Sequence, residues 1–223
     1  MSRMIDLTFT PGLPPDYGCK VYRRTIPLAS PGVKYTGVVY KFEINSMSGS
    51  YLDLPGHIAE TDNGVDMANY PLEKLFRRRA VVIHLNRESG SGGISGAELE
   101  AACQCPIQPG DALIINALGA KPFYAIDARS VYFDKSAVEF MLEKKIELLV
   151  SDVFECKTIE GVFLRLFEKG ISTVCSPVNM DQLTSPEVKL TVMMLPIPGV
   201  TQFPCRIIAE LPDDHSNFKV STK

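Results

Sequence analysis

Met47-Ser48-Gly49-Ser50-Tyr51-Leu52-Asp53-Leu54-Pro55-Gly56-His57 is the stretch that decides the fold. In extended backbone successive side chains alternate between faces, so Met47, Gly49, Tyr51 and Asp53 would point one way, with His57 following beyond the proline. Gly49 and Pro55 interrupt regular geometry and let the chain turn close to a bound group. Asp53 and His57 are the ordinary metal ligands of the stretch. Methionine is a poor ligand for zinc, and a neutral tyrosine, with a reference pKa of about 10, is a weak one. Two good ligands fall short of a tight site.

The remainder of the chain sets bounds. Its 223 residues suit one domain spanning 1–223, and the 45% hydrophobic content is enough for a substantial core. A net charge of −3 and a pI near 5.7 argue against a nucleic-acid surface or a polybasic membrane patch. The start lacks the apolar core of a signal peptide, and no apolar run approaches the roughly 18 residues of a membrane span. Six cysteines at irregular spacing then read as reduced thiols in a cytoplasm. Cys103 and Cys105 make a C-x-C pair that is better read as structural than as metal-binding.

Patterning predicts strands at Met4 to Thr8, Val38 to Asn45, Ala80 to Leu85, Ala112 to Ala117, Glu147 to Val153, Ile171 to Val174, Leu190 to Leu195 and Arg206 to Leu211. Turns fall at Pro11 to Pro15, Pro31-Gly32 and Pro109-Gly110-Asp111. Tyr70-Pro71-Leu72-Glu73 opens a short helix or turn. Ser95 with Glu98 forms a capping box that opens a helix through Ala102. Further helices span Lys135 to Lys144 and Ile159 to Lys169, the second closed by Gly170. The expectation is an α/β protein: a mixed central sheet flanked by helices, with additional β elements at both ends.

The opening stretch resembles H-x-G-T-H-x-D-x-P-x-H, the hallmark of the cyclase family that includes bacterial kynurenine formamidase. Gly49, Asp53, Pro55 and His57 match it, and Ser50 stands for its threonine. Met47 and Tyr51 stand where its first two histidines would be. Tyr70-Pro71-Leu72-Glu73, Pro109-Gly110-Asp111 with Leu113, Ser151-Asp152, Leu195-Pro196-Ile197 and Pro204-Cys205-Arg206 resemble later family segments in the same order. The resemblance implies the family's β/β/α fold, hydrolysis of an amide, cyclic amide or lactone, and a homodimer or larger homo-oligomer. It further implies a histidine and a glutamate from the second half, on H-x-x-L-L-x-x-G-I-x-I-x-E-N-L. Aligned on Gly170-Ile171, those positions hold Phe163 and Cys175.

Four ligand positions of the resembling family are thus filled by Met47, Tyr51, Phe163 and Cys175, which marks the dinuclear site as lost. The shift of a metal-bound water from a pKa of about 15.7 to about 7 is worth about 12 kcal/mol of nucleophile activation. His57 acting alone as a base supplies only about 10² to 10⁴-fold. Two rescues are conceivable: a mononuclear zinc or manganese site of Asp53, His57 and Cys175, or a nucleophilic Cys175 served by His57 and Asp53. If the chain is catalytic, His57, Asp53 and Tyr51 carry the chemistry, and Met47, Ser50, Phe163 and Cys175 line the ligand site. If it is not, the same pocket binds a small molecule or partners another subunit. His84 reads as a satisfied structural histidine, His215 as solvated, and Arg77-Arg78-Arg79 as a salt-bridged or solvated helix end.

Overall fold

The computed structural model describes residues 3–12 and 18–212, so His215 and part of the Pro11 to Pro15 turn lie outside it. In chain order the elements are β1 (Met4–Asp6), β2 (Cys19–Ser30), β3 (Val33–Ile44), β4 (Tyr51–Asp53), β5 (Arg78–His84), β6 (Gly92–Ile94), α1 (Gly96–Ala102), β7 (Ala112–Asn116), β8 (Val131–Phe133), α2 (Lys135–Lys144), β9 (Leu148–Ser151), α3 (Val162–Phe167), β10 (Ser172–Cys175), β11 (Glu187–Met193), β12 (Gln202–Pro204) and β13 (Arg206–Glu210). Nine strands form one mixed sheet in the order β1-β13-β11-β5-β7-β9-β10-β4-β12. Its centre, β5 through β10, is parallel, and both flanks are antiparallel. The expected mixed α/β sheet is what forms.

The apolar runs read as buried strands because the central sheet is covered on both faces. Ala80 and Val82 of β5 and Ala112 and Ile114 of β7 enter one core; Val81, Ile83, Leu113 and Ile115 enter the other. The three helices pack on the second face, where Leu99, Ala137, Val138, Met141, Val162 and Leu166 are buried. The caps behave as their residue types dictate. Ser95 Oγ accepts from the Glu98 amide at 3.2 Å, and Asp134 Oδ1 accepts from the Ala137 amide at 3.0 Å.

Three expectations change. The helix expected over Ile159 to Lys169 is cut to α3, because Ile159 (φ 61°) and Gly161 (φ 67°) adopt left-handed backbone before it. Arg77 to Arg79 end no helix. They lead into β5 and are salt-bridged, Arg77 to Glu210 at 3.2 Å, Arg78 to Glu147 at 2.7 Å, and Arg79 to both Asp111 and Glu187. The strand expected at Val38 to Asn45 is the end of one arm of a much longer hairpin: all twelve residues of β2 pair with all twelve of β3 about the Pro31-Gly32 turn. His84 is the satisfied structural residue expected, with Nε2 2.9 Å from the Leu183 carbonyl and Nδ1 3.0 Å from the Asn116 amide nitrogen.

Candidate active site

The decisive stretch becomes β4 and the turn after it. Leu52 and Leu54 are fully buried in the first core, so Tyr51 and Asp53 project from the opposite, helix-bearing side of the sheet. A one-residue slip would drive the Asp53 carboxyl into that core, and the register is therefore strongly specified. Neighbouring strands complete the row. Antiparallel pairing sets Thr173 and Gln202 on either side of Asp53, and Cys175 and Pro204 on either side of Tyr51.

His57 arrives by a different route from simple alternation. Pro55 occupies the first position of a 3-10 turn over Pro55–His57, closed by the His57 amide donating to Leu54 and by Thr61 Oγ1 donating to the Pro55 carbonyl at 2.6 Å. Two glycines make this path possible. Gly49 has φ +71°, and a Cβ there would lie 2.5 Å from the Phe9 carbonyl oxygen; a Cβ on Gly56 would lie 2.8 Å from Thr201 Cγ2. Ser50 sits behind the site. Its hydroxyl accepts from the Phe9 amide and donates to the Ser176 carbonyl, both at 2.8 Å, so its hydrogen-bonding capacity goes to holding β4 in place.

Met47, Tyr51, Asp53, His57 and Phe163 all line one open cavity of about 760 Å³, together with Gln202 and Arg129. An adjoining cavity of about 340 Å³ is lined by Cys175 and Asp152 and shares Tyr51, Phe163, Arg129 and Glu155 with the first. Phe163 stacks on Phe154 with ring centroids 4.8 Å apart and meets Phe167, whose edge faces the His57 ring at 6.5 Å. The wall is therefore aromatic while the floor is polar. Gln202, Arg129 and Glu155 were not singled out in the sequence. Gln202 in particular reaches the site only because β12 pairs with β4.

Asp53 is the electrostatic centre. Burial pushes its carboxyl up to about 6, against the opposing pull of the Gln202 amide, the His57 ring and the Cys175 thiol. Oδ2 accepts from Cys175 Sγ at 3.6 Å, while Oδ1 is buried with no hydrogen-bond partner among the described residues. Burial and the nearby Asp53 charge hold the Cys175 thiol well above its ordinary range. Gln202 links the polar groups: its amide nitrogen lies 3.3 Å from His57 Nε2, and its Oε1 accepts from Ser46 Oγ at 2.5 Å. Asp152 is likewise raised to about 6 by burial, against two backbone bonds from Ala117 and Leu118 at 3.0 Å.

The residues present do not fit a metal. Among the described residues no three of His, Cys, Asp and Glu are grouped to hold an ion, so the site expected of Asp53, His57 and Cys175 does not form. The chemistry of the donors explains this. An ion there would have to displace the proton of Cys175, which is buried and donates to the one carboxylate it would have to share with the ion. The same burial leaves the nucleophilic role without an ionised thiol. The C-x-C pair is occupied separately, with Cys103 Sγ donating to the Cys105 carbonyl at 3.1 Å and Cys105 Sγ to the Pro186 carbonyl at 3.3 Å, neither in a disulfide.

A nine-stranded mixed sheet, three short helices on one face and a polar-floored cavity at the β4 end define an α/β fold with a candidate small-molecule site. The Cyclase family model, described as "Putative cyclase", matches residues 5–156, and the chain belongs to that family. Solved structures agree on the fold. Isatin hydrolase A from Labrenzia aggregata, bound to benzyl benzoate, is similar with a TM-score of 0.69 and 19% identity, over 94% of each chain. Isatin hydrolase A from Ralstonia solanacearum has a TM-score of 0.71 and 18% identity, over 95% of this chain and 92% of that one. A protein from Bacillus stearothermophilus described as a predicted metal-dependent hydrolase has a TM-score of 0.67 and 16% identity, over 94% and 98%. No curated protein matches the chain in sequence. Among the described residues no helix is long and apolar enough to cross a membrane.

Proposed function

We propose that this chain is a divergent cyclase-family hydrolase, related to kynurenine formamidases, that opens an amide, cyclic amide or lactone without the metal set of the resembling family. The observation that carries this reading is the gathering of His57, Tyr51 and Asp53 on one cavity of about 760 Å³, a volume that suits a small molecule. His57 acts as the base. The Gln202 amide nitrogen, 3.3 Å from Nε2, holds the ring in place. The unprotonated ring nitrogen takes a proton from water, and the water oxygen bonds to the substrate carbonyl carbon. The Tyr51 hydroxyl donates to the carbonyl oxygen as charge builds there. The carbon–nitrogen or carbon–oxygen bond then breaks, and the proton held by His57 goes to the departing nitrogen or oxygen.

A base of this kind contributes about 10² to 10⁴-fold, which restricts turnover to activated carbonyls such as lactones, cyclic imides and N-formyl anilides. Asp53 keeps the Gln202–His57 pair in place and does not enter the chemistry directly. His57→Ala should lower kcat/KM by about 10² to 10⁴-fold on a panel of such substrates. Asp53→Asn should lower kcat/KM as well, by less than His57→Ala does. Unchanged turnover in both variants would remove these roles.

A second reading is a relative that binds without turnover. The bond from Cys175 to Asp53 favours it, since that contact closes the floor of the cavity on itself. A ligand that raises the melting temperature and is recovered chemically intact would select this reading.

A further inference from the structure

Tyr51 and Asp53 project from the helix-bearing side of the sheet, and a separate group of polar residues gathers on the other side, at the carboxyl ends of β5 and β7. His84 and Asn116 follow Val82 and Ile114 at two-residue spacing, so they share the face that those residues bury in the first core. Parallel pairing sets the two side by side. They border a cavity of about 470 Å³, with buried Val82 and Leu183 beneath it and exposed Glu88 and Asp181 at its rim.

Hydrogen bonding fixes which way Asn116 faces. The Leu183 carbonyl can only accept, so His84 Nε2, 2.9 Å away, carries a proton and donates it. In the neutral ring Nδ1 is then an acceptor, and the Asn116 side-chain nitrogen 3.0 Å from it is the donor. Asn116 Oδ1 is left at the end of this relay. It is buried, in a residue only 1% exposed, and has no hydrogen-bond partner among the described residues. An unpaired buried acceptor is costly, and a donor relieves it.

The surroundings decide which donor. The residues bordering the cavity include Glu88 and Asp181 and neither lysine nor arginine. Glu88 is held by the backbone: its Oε1 accepts from the Ala120 amide at 3.0 Å, an approach that needs glycine at 119, because a Cβ there would collide with the same oxygen. The Asp181 carboxylate has no hydrogen bond or ion pair among the described residues. A smaller cavity of about 240 Å³ shares Asn116 and Asp181, and Lys121 on its border donates its ammonium to the Glu88 carbonyl at 3.2 Å. The rim thus already takes one ammonium of the chain itself. A metal ion fits less well, since no three of His, Cys, Asp and Glu are grouped for it among the described residues.

We propose that this cavity is a second binding site, for a small organic cation with a primary ammonium group. One N–H donates to Asn116 Oδ1, Asp181 and Glu88 balance the charge, and the apolar body packs on Val82 and Leu183. The assignment does not rest on the hydrolase reading, because Tyr51, Asp53 and His57 line a different cavity.

The test is a titration of the full chain with n-butylammonium chloride at neutral pH, followed in ¹H–¹⁵N NMR spectra. Tetramethylammonium chloride, which carries the same charge without an N–H, is titrated beside it. Asn116→Leu removes the acceptor; Asp181→Asn, at an exposed position, removes the charge and decides by itself if Asn116→Leu does not fold. The expected result is a saturable shift at the Val82, His84 and Leu183 amides. The dissociation constant should rise about tenfold or more in Asn116→Leu and about twofold to fivefold in Asp181→Asn. Tetramethylammonium should bind at least about tenfold more weakly. No saturable shift at those amides up to about 50 mM, a limit suited to so small a ligand, would overturn the proposal. So would tetramethylammonium binding as tightly as n-butylammonium, shifts confined to Tyr51 and Asp53, or an affinity unchanged by the substitutions.

Discussion

Asp53 and Cys175 illustrate how one residue's chemistry depends on its neighbour's. A carboxylate raised to about 6 and a thiol that keeps its proton stabilise one another as a hydrogen-bonded pair, and each makes the other a poorer metal ligand. Asp53 and Tyr51 were legible from period-two alternation. Gln202 was not, because nothing within the sequence around it signals which strand β12 will join. Asp152 offers a clean titration. Its folded pKa of about 6 exceeds the reference value of 3.8, so the folded state binds the proton more tightly and stability falls as pH rises between those values. The difference corresponds to about 3 kcal/mol at most, lost by neutral pH and recovered on acidification. Asp152→Asn should therefore gain stability relative to wild type as pH rises from about 4 to about 7. Parallel melting curves across that range with no change in their separation would contradict the assignment. Ser50 makes a second residue-scale case. Ser50→Ala removes the buried hydroxyl that serves the part-buried Phe9 amide and Ser176 carbonyl and should cost about 1–3 kcal/mol in urea unfolding. A loss below about 0.5 kcal/mol would mean the two groups find other partners.

At the scale of elements, legibility followed burial. Strands β5, β7 and β9 are covered on both faces, so their unbroken apolar runs stood out, and the capped helices α1 and α2 began where Ser95 and Asp134 dictate. Of the β2–β3 arm only Val38 to Asn45 and the Pro31-Gly32 turn were legible, for the opposite reason. Exposed on both faces, it needs no alternation of apolar and polar residues, and Cys19 to Ser30 carries charges and a proline that resemble a loop. Helix α3 was overextended because the left-handed backbone at Ile159 has no compositional signal for a β-branched residue. The turn that delivers β4 is the element most exposed to a single change. Gly49→Ala meets both a left-handed φ, at about 1–2 kcal/mol, and the Phe9 carbonyl, so a total loss above about 2 kcal/mol is expected in denaturant unfolding. A loss below about 1 kcal/mol would show that β4 tolerates a displaced Phe9.

Across the whole molecule, the cyclase fold persists while the groups on its cavity change. The sheet order and the two cores rest on buried apolar residues, Leu52 and Leu54 beside the site among them, and place few demands on Met47 or Tyr51. Family membership was legible because the glycine, proline and aspartate of one loop are fixed by backbone geometry; the cavity's chemistry was less so, since it depends on which distant side chains converge. The most direct test is the metal content of freshly purified, tag-free protein after dialysis against Zn²⁺ and against Mn²⁺. Metal at background under both conditions is the expected result, because Asp53, His57 and Cys175 do not assemble a ligand set. Stoichiometric metal that is lost in both His57→Ala and Cys175→Ser would contradict it and restore a metal-dependent hydrolase.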